Sequence, residues 1–309
     1  MSQGPVLIAY DGSEGARNAI VAAGALGIGG RANVCHSWAG LSHAVMRGNF
    51  GVVPPPLGSA IDEIDELDRE AAEKLAAEGA RLAGSAGFDA VPAAVKQETK
   101  TWRTLLAAAE ERRARLIVIG AQGHSGLERL LLGSVSSAVL AHAHTPVLVV
   151  PEAAGENSAG PLAVCFDGSE DARRALELVA ELFPGRRVLV LSAWESWVSK
   201  SAPLLAGAGP VAGMEIELDE IAAEQAERTA DFGVELADQL GLAAEALAIK
   251  ARGVPVWREL LDTATEHDAA AIVMGARGLT GISRALGSIS HGVVNHSTMP
   301  VLVSPPRDG

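Results

Sequence analysis

The sequence predicts an α/β protein of two doubly wound domains, and three observations carry that prediction. First, the chain is written twice. VLIAYDGSEGARNAI (6–20) matches LAVCFDGSEDARRAL (162–176), and LIVIGAQGHSGLERLLLGSVSSAVLAHAHTPVLVV (116–150) matches AIVMGARGLTGISRALGSISHGVVNHSTMPVLVS (271–304). Trp38 falls on Trp194 at an offset of 156, and Trp102 on Trp257 at an offset of 155. Second, each copy alternates short apolar runs with amphipathic stretches, the pattern of a parallel sheet with helices on both faces. Third, 309 residues are enough for two domains of ordinary size. The join PEAAGENSAG (151–160) is polar and contains glycine. The expected organisation is a first domain over 1–152, a linker over 153–160 and a second domain over 161–309.

In the first copy, 5–10 is an apolar run ending at Asp11 and reads as a buried strand. Residues 14–26 read as a helix and 32–38 as a strand. The acidic stretch 61–83 carries Ile61, Ile64, Leu67, Ala71, Leu75 and Leu82 at helical spacing, with a solvated acidic face. A strand near 90–96, a helix near 102–113, a strand at 116–120, a helix from 134 to about 143 and a strand at 146–150 complete the unit. The second copy repeats the order. The connection 39–60 and its counterpart 195–213 are expected to be long loops at the end of the second strand, of a length that often carries function.

Composition narrows the function. Apolar residues make up 48% and charged residues 20% of the chain, the profile of a soluble globular protein. A net charge of −13 argues against nucleic-acid binding, which needs a basic face. It leaves room for a small anion held by local amides. Cys35 and Cys165 sit in strand-like runs and are expected to be buried free thiols. The N-terminus lacks the pattern of a signal peptide and no apolar run is long enough to span a membrane, so the expected location is cytoplasmic.

Two loops in each copy stand out. In open α/β sheets ligands bind beyond the carboxyl ends of the strands, where strand order reverses. One loop follows the first strand and carries Asp11-Gly12-Ser13, or Asp167-Gly168-Ser169. It has two readings. Asp11 caps the next helix with Glu14 three residues on, as in a capping box, or it accepts hydrogen bonds from a ribose. The other loop follows the fourth strand, where Gly120, Gly123 and Gly133-Ser134 precede a helix. A helix N-terminus offers unpaired N–H groups and a positive dipole end, which favours phosphate, and glycine lets an anion approach closely. The plainer reading is a glycine-rich loop with an ordinary serine cap. GIGGRA (27–32) mimics a dinucleotide fingerprint but follows a helix and precedes a strand, the reverse of what that motif needs. No Gly-Lys pair of a Walker loop and no Gly-x-Ser-x-Gly elbow occurs.

With these residues in view, both copies resemble the universal stress protein domain. The first copy matches that family's nucleotide-binding pattern as Gly120-x2-Gly123-x9-Gly133-Ser134, and the strand-end Asp11 and Asp167 and the closing TPVLVV and MPVLVS also fit. The resemblance implies a five-stranded parallel sheet in the order 3-2-1-4-5 in each domain. It implies ATP, with or without Mg2+. Adenine would pack near Ala9, Ser37 and Ile119, ribose would meet Asp11, and phosphates would meet Gly120, Gly123, Gly133, Ser134, Val135 and Ser136. The corresponding second set is Cys165, Asp167, Ala193, Met274, Gly275, Gly278, Gly287, Ser288, Ile289 and Ser290. Here eight residues, not nine, separate Gly278 from Gly287. One residue is worth up to about 3.5 Å of reach, so either Ser288 is displaced or the loop compensates. Members of the family pair through the fifth strand. The resemblance therefore implies an intramolecular pseudo-dimer through 146–150 and 300–304, with a homodimer as a further possibility.

Three function classes follow. The leading one is a nucleotide-binding stress-response regulator or sensor, with no catalytic residue assigned and at most slow ATP hydrolysis or autophosphorylation. The second is an interaction module of the same family that binds no nucleotide, against which the first glycine motif speaks. The third is an adenine-nucleotide hydrolase or adenylyl transferase, whose His-x-Gly-His or Ser-Gly-Gly-x-Asp-Ser signatures are missing.

Overall fold

The computed structural model of the chain describes residues 4–41, 55–122, 132–152, 154, 157–196, 212–251, 253–277 and 286–306. They divide into two units, Met1–Ala154 and Gly155–Gly309. The first unit runs β1 (Val6–Ala9), α1 (Glu14–Ala25), β2 (Gly30–Trp38), α2 (Pro55–Ser85), β3 (Phe88–Lys96), α3 (Thr101–Glu111), β4 (Leu116–Gly120), α4 (Ser134–His142) and β5 (Val147–Val150). The second runs β6 (Leu162–Cys165), α5 (Glu170–Leu182), β7 (Arg187–Glu195), α6 (Ala212–Gln239), β8 (Ala243–Ala251), α7 (Val256–Glu266), β9 (Ala271–Gly275), α8 (Ser288–His296) and β10 (Val301–Ser304).

Each unit is a five-stranded parallel sheet. Its order is β3-β2-β1-β4-β5 in the first and β8-β7-β6-β9-β10 in the second, the 3-2-1-4-5 arrangement twice. Val6 pairs with Ala32 on one side and Leu116 on the other, and Leu162 pairs with Val188 and Ala271 in the same way. The reversal of strand order therefore falls between β1 and β4, and between β6 and β9.

Helices on both faces explain why β1, β4 and β5 are buried at every position and read as continuous apolar runs rather than alternating ones. Leu7, Ile8, Leu116, Ile117 and Leu148 form the fully buried centre of the first sheet with Ile20 of α1, and Leu162, Leu176, Leu191, Ile272 and Leu302 do so in the second. Small residues set the spacing between layers. A Cβ at Gly79 of α2 would lie 2.6 Å from the Tyr10 ring, and one at Gly233 of α6 would lie 2.6 Å from Val190. Glycine at these positions lets the long helix lie directly on the sheet.

Several boundaries differ from the sequence reading. The connection expected over 39–60 is shorter, because α2 begins at Pro55. Proline is tolerated in a first helical turn, where its missing N–H has no partner to lose. Likewise β7 runs to Glu195 and α6 starts at Ala212. The cores of both expected loops, 42–54 and 197–211, lie outside the described residues. The helix expected to reach 113 ends at Glu111. Arg113 takes a left-handed φ of 50°, and Ala114 N donates to Ala109 O at 2.8 Å, a C-terminal stop without glycine. Asp268 repeats that stop after α7, with the same φ. Gly27, from the fingerprint-like stretch, turns the chain after α1 with φ of 89°, and Gly30 opens β2 with φ of 85°. Among the described residues no helix is long and apolar enough to cross a membrane.

Candidate functional site

At the carboxyl end of β1 the chain turns through Asp11, Gly12 and Ser13, with Gly12 at φ 80°, a conformation that favours glycine. Ser13, not Asp11, is the N-cap of α1, and its Oγ accepts from Ala16 N at 3.1 Å. The capping-box reading of Asp11 is therefore wrong. Asp11 Oδ1 instead accepts from Ser13 N at 3.0 Å and from Ser13 Oγ at 2.5 Å, which fixes the cap from behind. The positive φ of Gly12 turns Asp11 out of capping position. In the second unit Ser169 caps α5 through Ala172 N at 3.2 Å, and Asp167 Oδ1 accepts from Ser169 N at 3.0 Å.

The helix that follows β4 starts differently. Gly133 is the N-cap of α4 and gives no side-chain cap. Its own N–H donates to Ala121 O at 2.8 Å, which ties the helix start to the strand end. Ser136 Oγ strengthens that tie, donating to Ala121 O at 2.7 Å. The first amides of α4 thus lack the side-chain acceptor that Ser13 gives α1, and the dipole favours negative charge there.

Between these two helix starts lies a cavity of about 310 Å³. Ala9, Asp11, Ser37, Ile119, Gly120, Gly133, Ser134, Val135 and Ser136, nine of the residues singled out from the sequence, line it. Gly123 lies outside the described residues. The sequence reading missed Cys35, His36, Thr101, Leu105 and Gln122, which also line the cavity. Cys35 and His36 lie on the strand that carries Ser37, and Gln122 lies two residues after Gly120. Their proximity was available from the topology, but nothing in their residue type announced it. His36 Nδ1 lies 2.9 Å from Tyr10 O. Ser37 Oγ is buried with no hydrogen-bond partner.

Gly120 has a structural task. A Cβ there would lie 2.8 Å from the Gly15 backbone and 3.2 Å from Ala16 N, so glycine lets α1 press against β4. Gly275 answers to Asp171 in the same way, at 2.6 Å.

The second unit repeats the cavity at about 250 Å³. Cys165, Asp167, Ala193, Met274, Gly275, Gly287, Ser288, Ile289 and Ser290 line it, and Gly278 lies outside the described residues. The shorter motif does not displace the helix start. Gly287 has φ −63° and ψ 159° against −62° and 156° for Gly133, and Gly287 N donates to Ala276 O at 2.9 Å. Arg277 stands where the first unit has Gln122, a substitution the sequence reading did not weigh.

Cys35 is buried, as expected, but Cys165 is only half-buried and faces the cavity. Burial pushes the Cys35 thiol up to about 11. Burial, with a smaller contribution from the Asp167 charge, pushes the Cys165 thiol up to about 12. Both stay protonated near neutrality, which makes them poor nucleophiles. The His142 ring stacks on Trp102 at 4.4 Å, and the His296 ring stacks on Trp257 at 4.1 Å.

Comparison with known proteins agrees with this geometry. The model of the universal stress protein family matches residues 4–151 and again 160–305. A universal stress protein of Mycobacterium tuberculosis is 31% identical over 198 residues, 62% of this chain and 59% of its own length. The chain thus aligns with somewhat over half the length of that relative. A universal stress protein of Mycolicibacterium smegmatis is 28% identical over 271 residues, 82% of each chain. Among solved structures, a universal stress protein from Archaeoglobus fulgidus covers 98% of this chain and 99% of its own at a TM-score of 0.61 and 22% identity, a likeness of fold. This chain belongs to the universal stress protein family and carries the family's domain twice in tandem.

Proposed function

We propose that the chain is an adenine-nucleotide-binding stress-response regulator, with ATP as ligand and a site in each unit. One observation carries the reading: the helix start that faces each cavity is left without a side-chain cap, and in the second unit packing does not require the glycine that leaves it so. Gly287 has an ordinary negative φ, and a Cβ there would meet nothing closer than 3.7 Å. The space it leaves suits a phosphate held by amides at the positive end of a helix. Gly133 to Ser136 would hold phosphates in the first unit, Asp11 the ribose, and Ala9, Ser37 and Ile119 the base. Asp167, Ala193, Met274 and Gly287 to Ser290 would take those parts in the second. Mg2+ would travel with the triphosphate. Gly123 and Gly278 belong to the same reading of the motif, as do a cytoplasmic location and the absence of nucleic-acid and membrane partners.

The test is to identify any nucleotide that co-purifies, by chromatography, and then to titrate ATP by calorimetry. Two sites are expected, and Gly133→Val is expected to remove one by filling the space at the helix start. No binding at either site overturns the reading in favour of a nucleotide-free interaction module. Turnover of ATP during the titration would move the reading toward an enzyme.

The apolar edge strands β5 and β10 each need a cover, and the same reading has them pair with each other as a pseudo-dimer within the chain. A Val149→Cys, Val303→Cys double variant is expected to crosslink as a monomer. Failure to do so removes that part, and a crosslinked dimer of chains points to homodimerisation instead.

A further inference from the structure

The two cavities share a backbone design and differ in two buried polar groups. In the second unit the position two residues after the strand-end glycine is Arg277, whose Nε is buried and has no hydrogen-bond partner. Among the described residues no ion pair to Arg277 is present, although its side chain is half-buried and lines the cavity. A guanidinium is always charged, and its buried Nε–H gains from an acceptor that enters the cavity; the Asp167 carboxylate lines the same cavity. Its place is at the phosphate end, because a Cβ on the cap residue Gly287 would lie 3.8 Å from the Arg277 Cα. In the first unit the same place, 3.6 Å from a Cβ on Gly133, belongs to the Cα of the uncharged Gln122.

The opposite contrast holds at the other end. Ser37 Oγ lines the first cavity as an orphaned hydroxyl at the end of β2. The second cavity has Ala193 there, beside Met274 and Val256. An orphaned hydroxyl costs stability until a ligand donates to it or accepts from it. A wall of Ala193, Met274 and Val256 asks only for apolar contact.

We propose that the duplicated sites have divided recognition: the second selects ligands by phosphate charge through Arg277, and the first selects by a polar edge of the base through Ser37. The ligand class of the second site is a nucleoside di- or triphosphate. The first site takes a nucleotide with much less regard to phosphate number. This rests on the nucleotide reading above and adds a difference between the sites that the family motif does not contain. A charge-assisted contact that grows with phosphate charge predicts that the ATP-to-AMP affinity ratio is larger at the second site by about ten- to a hundredfold.

The test titrates AMP, ADP and ATP into full-length chains with one site closed, Gly133→Val leaving the second site and Gly287→Val leaving the first, each checked for folding by circular dichroism. At the second site affinity is expected to rise steeply from AMP to ATP and to weaken with salt. Arg277→Gln is expected to flatten the series, and Arg277→Lys to keep part of the slope because the charge remains. Gln122→Arg is expected to create the slope at the first site. Ser37→Ala is expected to weaken AMP, ADP and ATP there by one common factor. Equal slopes at both sites, or an Arg277→Gln series lowered equally for all three ligands, overturn the division while leaving nucleotide binding intact. Absence of binding for any ligand in the unmodified chain overturns the nucleotide reading itself.

Discussion

Gly120→Ala separates a packing glycine from a ligand-facing one. The resemblance to the family counts Gly120 among the phosphate contacts, yet the space a side chain would need is filled by protein. The new Cβ would lie 2.8 Å from Gly15 C and O. Ordinary contact begins near 3.4 Å, so α1 would have to retreat by roughly 0.6 Å. The obstacle is backbone at the first turn of a helix. That turn is pinned by Ser13 at its cap and by Ala16, Ala19 and Ile20 in the core. Overpacking of this kind costs about 1–3 kcal/mol. Alanine also restricts the unfolded chain, which returns about 0.4–1 kcal/mol. The net loss is about 1–2 kcal/mol, which for a unit of this size lowers its melting temperature by about 2–8 °C.

Scanning calorimetry of the nucleotide-free chain measures this, with the transitions of the two units fitted separately, because multi-domain chains commonly depart from two-state unfolding. Gly133→Ala is the control. Its Cβ would meet Ala121 O at 3.2 Å and the Ser136 hydroxyl at 3.3 Å, contacts that a shift of a few tenths of an ångström relieves. It is expected to cost under about 1 kcal/mol of stability while weakening nucleotide. Should Gly120→Ala leave the melting temperature unchanged and lower affinity instead, the packing argument is refuted and Gly120 faces the ligand.

Four further outcomes are expected. Tyr10→Phe removes the hydroxyl that donates to Glu78 Oε1 at 2.9 Å and should cost about 1 kcal/mol in urea unfolding. Phe166→Tyr in the second unit should bring no gain, because Phe166 packs against Phe232 at 6.2 Å rather than meeting a carboxylate. A Cys35 thiol raised to about 11 favours the folded state up to the unfolded value near 8.5 and gives that stability up as pH climbs toward 11. Cys35→Ser should therefore flatten the alkaline arm of the stability profile, and a thiol reagent should label the native chain slowly at pH 8, with nucleotide protecting the cavity-facing Cys165 further. Gly292→Ala would put a Cβ 2.3 Å from the Trp257 ring that stacks on His296, so it should destabilise the second unit by about 1–3 kcal/mol and alter tryptophan emission. The first unit carries Ala138 at that place, where the equivalent Trp102–His142 stack is 4.4 Å apart rather than 4.1 Å.

The parts of the molecule legible from sequence were those written by backbone periodicity and by repetition. Alternating apolar runs gave the parallel sheets, and duplicated Asp-Gly-Ser and Gly-Ser steps located both cavities. What stayed hidden was decided by geometry between residues of similar chemistry. Asp11 and Ser13 are both good caps, and only the left-handed turn at Gly12 assigns the cap to Ser13. Arg113 ends α3 in a conformation that glycine usually takes, so no residue type marked the stop. Pro55 looked like loop but opens a helix, because the first turn loses nothing by lacking an N–H. Gln122 and Arg277 sit in a glycine loop where side chains carry no periodic signal, and only the cavity shows that they stand at the same place.

That last pair bears on how a duplicated domain changes. The second glycine motif is one residue shorter, yet its cap dihedrals and its backbone tie to the strand end match the first within 3° and 0.1 Å. The backbone part of each site is thus indifferent to loop length, because the strand end and the helix cap are fixed by their own hydrogen bond. Side chains around it are under no such constraint. On the nucleotide reading, exchanging Gln for Arg at one end and Ser for Ala at the other would alter which ligands are favoured without moving the amides proposed to hold a phosphate. Selectivity can therefore diverge between the two units at little cost to the fold. The place to look for their separate tasks is the rim of each cavity rather than its glycines.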